Sequence, residues 1–190
     1  MRLYDALYNR LLFARWLVEC KEFPRIFGRV RIADFTKNHH GGKIKIGHGV
    51  VINSAVWANP VGGVCTVFLF KAPGATIELD DGAGMSNVML GAYTSIYIGK
   101  NVNLGAGTKV FDNDFHSLDY DERMADVNIK SAPVRIEEGA FIGTEAIILK
   151  GVTVGARSVV AAGSVVAKSI PPGEIWGGNP AKFIRKLAAG

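Results

Sequence analysis

From Ile136 onward an aliphatic residue recurs at every sixth position: Ile136, Ile142, Ile148, Val154, Val160 and Val166. Four positions after each stands a small or β-branched residue, in turn Ala140, Ala146, Val152, Ser158, Ser164 and Ile170. The same frame runs earlier through Ile98, Leu104 and Val110, with Val102 and Thr108 at the fourth offset, and briefly through Ile46 and Ile52, with Val50 and Val56. A period of six matches neither the 3.6 of an amphipathic helix nor the 2 of a long alternating strand. It matches a short flat strand plus a turn, with one aliphatic pointing inward on each side of a coil. Three sides close a coil of about eighteen residues, and stacked coils bury a column of aliphatics. The small residues at the fourth offset then occupy inner corners, where bulk does not fit. The pattern predicts an all-β solenoid.

The frame breaks twice. Residues 58–75 carry Pro60, Gly62, Gly63, Pro73 and Gly74, which predicts a slip in the coil or a small loop. Val110 to Ile136 is not a whole number of repeats, and between them runs a polar segment with Asp112, Asp114, His116, Asp119, Asp121, Glu122 and Arg123. This predicts a loop thrown out of the solenoid over residues 112–133. Long loops on rigid scaffolds are where function concentrates. At the N-terminus Leu3, Leu7, Leu11, Ala14 and Val18 follow helical spacing, predicting an amphipathic helix over residues 2–22 that covers the open solenoid end. Its basic, Trp16-bearing surface also suits lipid head groups. Pro171, Pro172 and Gly173 stop the repeat, and a short terminal helix is expected from Pro180 to Leu187. The organisation expected is a capping segment 1–43, a solenoid 44–170 and a tail 171–190.

Composition adds bounds. The 190 residues suit one domain, and 48% hydrophobic against 21% charged residues excludes a disordered chain. No run approaches a membrane span or a signal peptide. Cys20 and Cys65 make neither a disulfide framework nor a metal motif, so a reducing cytoplasmic compartment is expected. The net charge of +5 is concentrated: residues 1–45 hold ten Lys and Arg against four Asp and Glu. That excess points to an anionic partner, such as a membrane surface or a charged or lipid-linked substrate. Nucleic acid is not expected, because no recognition motif with interleaved aromatics accompanies the charge.

The repeats, the segment DNDFHSLDYDER (Asp112 to Arg123) and the stretch from Ile136 to Leu187 together resemble the hexapeptide-repeat acyltransferases, in the maltose/galactoside O-acetyltransferase-like branch. The resemblance covers about residues 44 to 187. It implies a left-handed parallel β-helix, a homotrimer with each active site between neighbouring subunits, acetyl-CoA as co-substrate and a sugar or polysaccharide precursor as acceptor. His116 matches the catalytic base. A sugar hydroxyl is a poor nucleophile until a base removes its proton, and an imidazole suits that task near neutral pH. Asp112 and Asp114 are placed with the substrate-binding residues, and either is a candidate to orient the ring, with a main-chain carbonyl as the alternative. Asn87 matches a residue at the acceptor. Thr144, Ala162 and Lys168 match the acetyl-CoA groove, and Arg185 and Lys182 match basic residues near the nucleotide phosphates. A backbone N–H at Gly143 or Thr144 is a candidate oxyanion donor. Phe141 replaces a Trp common in sugar acetyltransferases, and residues 1–43 resemble the basic leader of polysaccharide-modifying relatives.

Two other activities sit on the same architecture. A γ-class carbonic anhydrase needs three histidines converging on zinc. The four here, His39, His40, His48 and His116, do not show that pattern, so no metal is expected. An amino-sugar or xenobiotic N-acetyltransferase would use the same base on an amine. A non-catalytic solenoid scaffold would have little use for a histidine loop and a basic tail.

Overall fold

The computed structural model describes residues 3–35 and 41–188. Strands of two to four residues follow one another around three faces and pair in parallel only with their counterparts in the coils above and below. The first coil holds Glu19–Cys20, Arg25–Gly28 and Arg31–Asp34; the second holds Lys43–Ile46, Val51–Ser54 and Val67–Phe70. Thr76–Leu79, Gly84–Ser86 and Met89–Ala92 make the third, and Ser95–Ile98, Asn103–Leu104 and Lys109–Phe111 the fourth. Val134–Ile136, Phe141–Ile142 and Ile147–Ile148 make the fifth, and Thr153–Val154, Val159–Val160 and Val165–Val166 the sixth. Three parallel sheets enclosing one apolar column are consistent with a left-handed β-helix.

The six-residue frame is the core itself. Ile136, Ile142, Ile148, Val154, Val160 and Val166 are all fully buried, as are Ile98 and Val110. Each such side chain contributes roughly 1.5–3 kcal/mol by leaving water. The fourth-offset residues Ala140, Ala146, Ser158 and Ser164 are buried at the corners. Ser158 and Ser164 turn their hydroxyls onto the carbonyls of Pro171 and Ala161. At Gly143 a Cβ would stand 2.5 Å from the Ala162 amide nitrogen, so only glycine lets successive coils stack there.

The structure departs from the expected organisation at both ends. The solenoid begins at Glu19, not residue 44, because Ile26, Val30 and Ile32 already supply one inward repeat. The helix, α1 (Leu3–Arg15), is shorter than residues 2–22 and is turned the other way round. Asp5, Asn9 and Phe13 face the solenoid, while Leu3, Leu7 and Leu11 face outward. Polar pairing sets this rotation. The Asn9 amide donates to Gly28 O (2.8 Å) and accepts from Val30 N (3.2 Å), and Arg29 Nε donates to Asp5 Oδ1 (2.7 Å). Buried backbone groups at that corner would otherwise go unpaired. Trp16 is partly buried, its ring stacked 6.4 Å from that of Phe70, so it does not present itself to lipid.

The break at 58–75 is a surface excursion over residues 55–66. Strand Val67–Phe70 then resumes with Phe68 and Phe70 fully buried, whereas Val56 is 52% exposed instead of inward. The expected terminal helix is a strand, Ala181–Lys186, folded antiparallel onto Glu174–Gly178, which itself extends the sheet beyond Val159–Val160. No described helix is long and apolar enough to cross a membrane.

Candidate functional site

The loop leaves the solenoid after the fourth coil, and its length is read from the register. Ile96 pairs with Val134, 38 positions on, whereas Arg135 pairs with Thr153, 18 positions on. The extra length is held shut at its base. Ala132 N donates to Asp112 O and Asp114 N to Lys130 O, and an isolated bridge joins Asn113 to Ser131. Asp112 is fully buried, and its carboxylate accepts from Tyr93 N (2.6 Å), Thr94 N (2.7 Å), Thr94 Oγ1 (2.9 Å) and Asn113 Nδ2 (3.0 Å). Asp114 is ion-paired with Lys150 at 2.5 Å, a residue of the fifth coil. Both carboxylates therefore fasten the loop to the solenoid, and neither is on the histidine ring.

His116 stands beyond this base with its side chain 59% exposed, and Asp126 Oδ1 lies 3.7 Å from its Nδ1. Below the ring the loop is braced by α2 (Tyr120–Met124), capped by the Asp119 carboxylate on Glu122 N (3.0 Å). Ser117 Oγ (2.6 Å) and Asn128 Nδ2 (2.8 Å) donate to the Glu122 carboxylate. These two donors hold Glu122 below its ordinary pKa of 4.5. A depressed folded-state pKa makes this brace fully present above the ordinary carboxylate range and lost only as the pH falls below it. The protection of amides across 114–130, after correction for the intrinsic pH dependence of exchange, is thus expected to be steady from pH 8 down to about 5 and to fall below about pH 4. Glu122→Ala should lower that protection above about pH 5 and make little difference below about pH 4, where the brace is already lost.

Asn87 sits at a coil corner in left-handed conformation, φ 48°, and is buried. Its amide donates to Asn59 O (2.8 Å) and Val61 O (3.3 Å), tying down the 55–66 excursion, while its Oδ1 is buried without a partner. It borders a cleft with Arg31, Lys109 and Glu145, the last two ion-paired at 2.8 Å. The corner reading of Asn87 accounts for its geometry, and contact with an acceptor would need the excursion to shift.

Thr144 and Ala162 occupy one corner in successive coils, where Gly163 N donates to Thr144 O. Thr144 is half-buried and Ala162 exposed. Gly143 N donates to Val160 O (2.8 Å), so its amide is committed to the ladder and is not available as an oxyanion donor. Lys168 and Lys182 are brought together. They line a cleft of about 330 Å³ between the sixth coil and the terminal hairpin, walled by Trp176, Pro180 and Phe183. Arg185 lies on the same hairpin strand and is exposed, its guanidinium donating to Lys186 O (3.3 Å). Among the described residues none of these three cations is in an ion pair. Two cations beside aromatic walls fit an anionic nucleotide. The clefts at Asn87 and at Lys168 are separate, and His116 lines neither.

Sequence reasoning missed Asp126, Lys150, Trp176 and Phe183. The last two had a partial signal, since GGNP at residues 177–180 is a turn sequence; the first two are tertiary partners with none. His39 and His40 lie outside the described residues, and exposed His48 faces Glu22 at 3.9 Å. Among the described residues of one chain, no three His, Cys, Asp or Glu side chains are placed to hold a metal ion.

Residues 133–168 match the hexapeptide repeat of succinyl-transferase. The chain is 34% identical over 147 residues to the mitochondrial γ-carbonic anhydrase 2 of Arabidopsis thaliana, covering 63% of this chain and 48% of that one. It is 41% identical over 92 residues to a provisionally assigned acetyltransferase of Schizosaccharomyces pombe, covering 48% and 44%. The chain thus spans about half the length of these curated relatives. A hexapeptide-repeat acetyltransferase of Vibrio cholerae O1 biovar eltor, solved with acetyl-CoA, superposes with a TM-score of 0.57. The two are 29% identical, over 95% of this chain and 77% of that one.

Proposed function

We propose that this chain, which belongs with the hexapeptide-repeat acyltransferases, moves an acetyl group from acetyl-CoA to a hydroxyl of a sugar or polysaccharide precursor. The observation that carries the reading is the histidine loop, anchored at two levels of the solenoid through Asp112 and Asp114 with His116 presented beyond it. In the proposed step His116 takes the proton of the acceptor hydroxyl as its oxygen attacks the thioester carbonyl. The C–S bond then breaks, and the imidazolium returns the proton to the leaving thiolate. Transfer is direct, and no residue is acylated. Asp126, its carboxylate 3.7 Å from Nδ1, is the side chain placed to orient the ring. The Thr144 amide is the remaining oxyanion candidate, and the Ala162 corner takes the pantetheine arm. Lys168 and Lys182, with Arg185 beside them, take the nucleotide phosphates.

His116 and the two clefts are apart within one chain. That separation supports a homotrimer in which a neighbour completes each site. The enzyme would act in the cytoplasm.

Calorimetric titration with acetyl-CoA tests the donor half: one site per chain is expected, and no binding at millimolar donor overturns it. Lys168→Ala and Lys182→Ala should each weaken that binding up to about fivefold, more at low salt. The product tests the acceptor half: an alkali-labile ester is expected, and a stable amide would make the acceptor an amine.

A further inference from the structure

Helix α1 is inverted relative to an ordinary surface helix. Its polar Asp5 and Asn9 are consumed by the solenoid, and its leucines are left in water. Leu3 is 82% exposed, Tyr4 79%, Leu7 55% and Leu11 62%. At 3.6 residues per turn, Leu3, Tyr4, Leu7, Leu11 and Ala14 share one sector of about 100°. Past the helix Leu17, 84% exposed in left-handed conformation, extends the stripe toward a shallow hollow lined by Phe13, Val18 and Phe23. Nothing in the described fold covers this stripe, and a continuous apolar patch of this kind marks a contact surface.

Arginines stand on both borders of the helix stripe, while the exposed acids Glu19 and Glu22 adjoin the hollow beyond it. Arg10 lies along one side, its guanidinium 4.5 Å over the Phe23 ring. On the other lie exposed Arg15 and Arg29, the latter 5.1 Å over the Tyr8 ring. The one acid of the helix, Asp5, is buried and taken by Arg29. Leucines in the middle, tyrosines within and beside the stripe and arginines at both margins make the profile of a helix lying in a lipid interface. A second copy docked face to face on the same stripe would bring arginine-bearing margins against one another.

We propose that α1 docks flat on an anionic lipid bilayer, with Leu3, Leu7 and Leu11 entering the headgroup–acyl boundary and Arg10, Arg15 and Arg29 on lipid phosphates. This goes beyond the transferase reading and holds whatever group the chain transfers. The docked face lies beside the first coil, at the N-terminal end of the solenoid.

Co-sedimentation of the full chain with phosphatidylcholine vesicles, with and without phosphatidylglycerol, tests it. The chain is expected to pellet with the anionic vesicles, to stay soluble with the neutral ones, and to be released by salt. Leu7→Glu/Leu11→Glu should weaken pelleting by at least about tenfold, and Arg10→Gln/Arg15→Gln by about tenfold or more. Both pairs are exposed, so melting temperature should fall by no more than a few degrees, the loss of the Arg10 contact on Phe23 included. A chain that stays in the supernatant with anionic vesicles overturns the proposal. So does equal pelleting on both vesicle types, or undiminished pelleting of the leucine variant. A lower mass for Leu7→Glu/Leu11→Glu in light scattering would overturn it too, by making the stripe a contact between copies.

Discussion

His116→Ala is expected to lower kcat/KM for acetyl transfer by about 10²–10⁴-fold, the range that a positioned general base supplies. Acetyl-CoA affinity should be unchanged, because the cleft that holds Lys168 and Lys182 lies in another part of the chain. The solenoid should be equally stable, since the imidazole is 59% exposed and packs against nothing in the core. Steady-state rates with saturating donor, beside calorimetry of the same variant, give both quantities. Retained transfer would remove His116 from the chemistry. Loss of donor binding along with transfer would show a disrupted fold instead.

The largest stability loss is expected at Asp112. Its carboxylate is fully buried and accepts from the partly buried amides of Tyr93 and Thr94. Leaving a buried N–H unpaired costs about 1–3 kcal/mol, so Asp112→Ala should lose about 2–6 kcal/mol. Melting temperature should fall on the order of 10 °C. Asp112→Asn keeps one acceptor oxygen and should fall between. Transfer should drop in both variants even at temperatures where they remain folded, since the base of the His116 loop is released. A variant that melts early yet transfers normally would mean that the loop does not depend on its Asp112 anchor.

The body of the fold was legible because one physical requirement repeats. Each coil needs one inward aliphatic per side, and residues such as Ile142 and Val160 are fully buried for that reason. The first coil was hidden because it offers a single repeat, Ile26 to Ile32, before the frame is interrupted. Helix α1 was placed but not oriented. Leucine spacing reads as an inward face, and only the tertiary pairing of Asn9 with Gly28 and Val30 shows that the polar face goes in. The terminal strand was misread because Ala181 to Leu187 has no strict alternation and its partner strand is set by the coil below.

At the site, the loop and its histidine were visible as a polar interruption. Their neighbours were not. Asp112 reaches back 18 positions to Thr94, and Asp114 reaches forward 36 to Lys150. Proximity to His116 in sequence therefore misassigned both. Asp126, ten positions on, comes near the ring only because the loop folds back around α2.

A stack of parallel coils is also the geometry of a growing fibril, because each exposed coil edge offers unpaired amides and carbonyls at the spacing another chain needs. The terminal hairpin changes that edge on one face. Ala181–Lys186 runs antiparallel, so an incoming coil meets a strand of the wrong polarity bearing Lys182, Arg185 and Lys186. Strand reversal and positive charge together keep the column from serving as a template for its own polymerisation along that sheet.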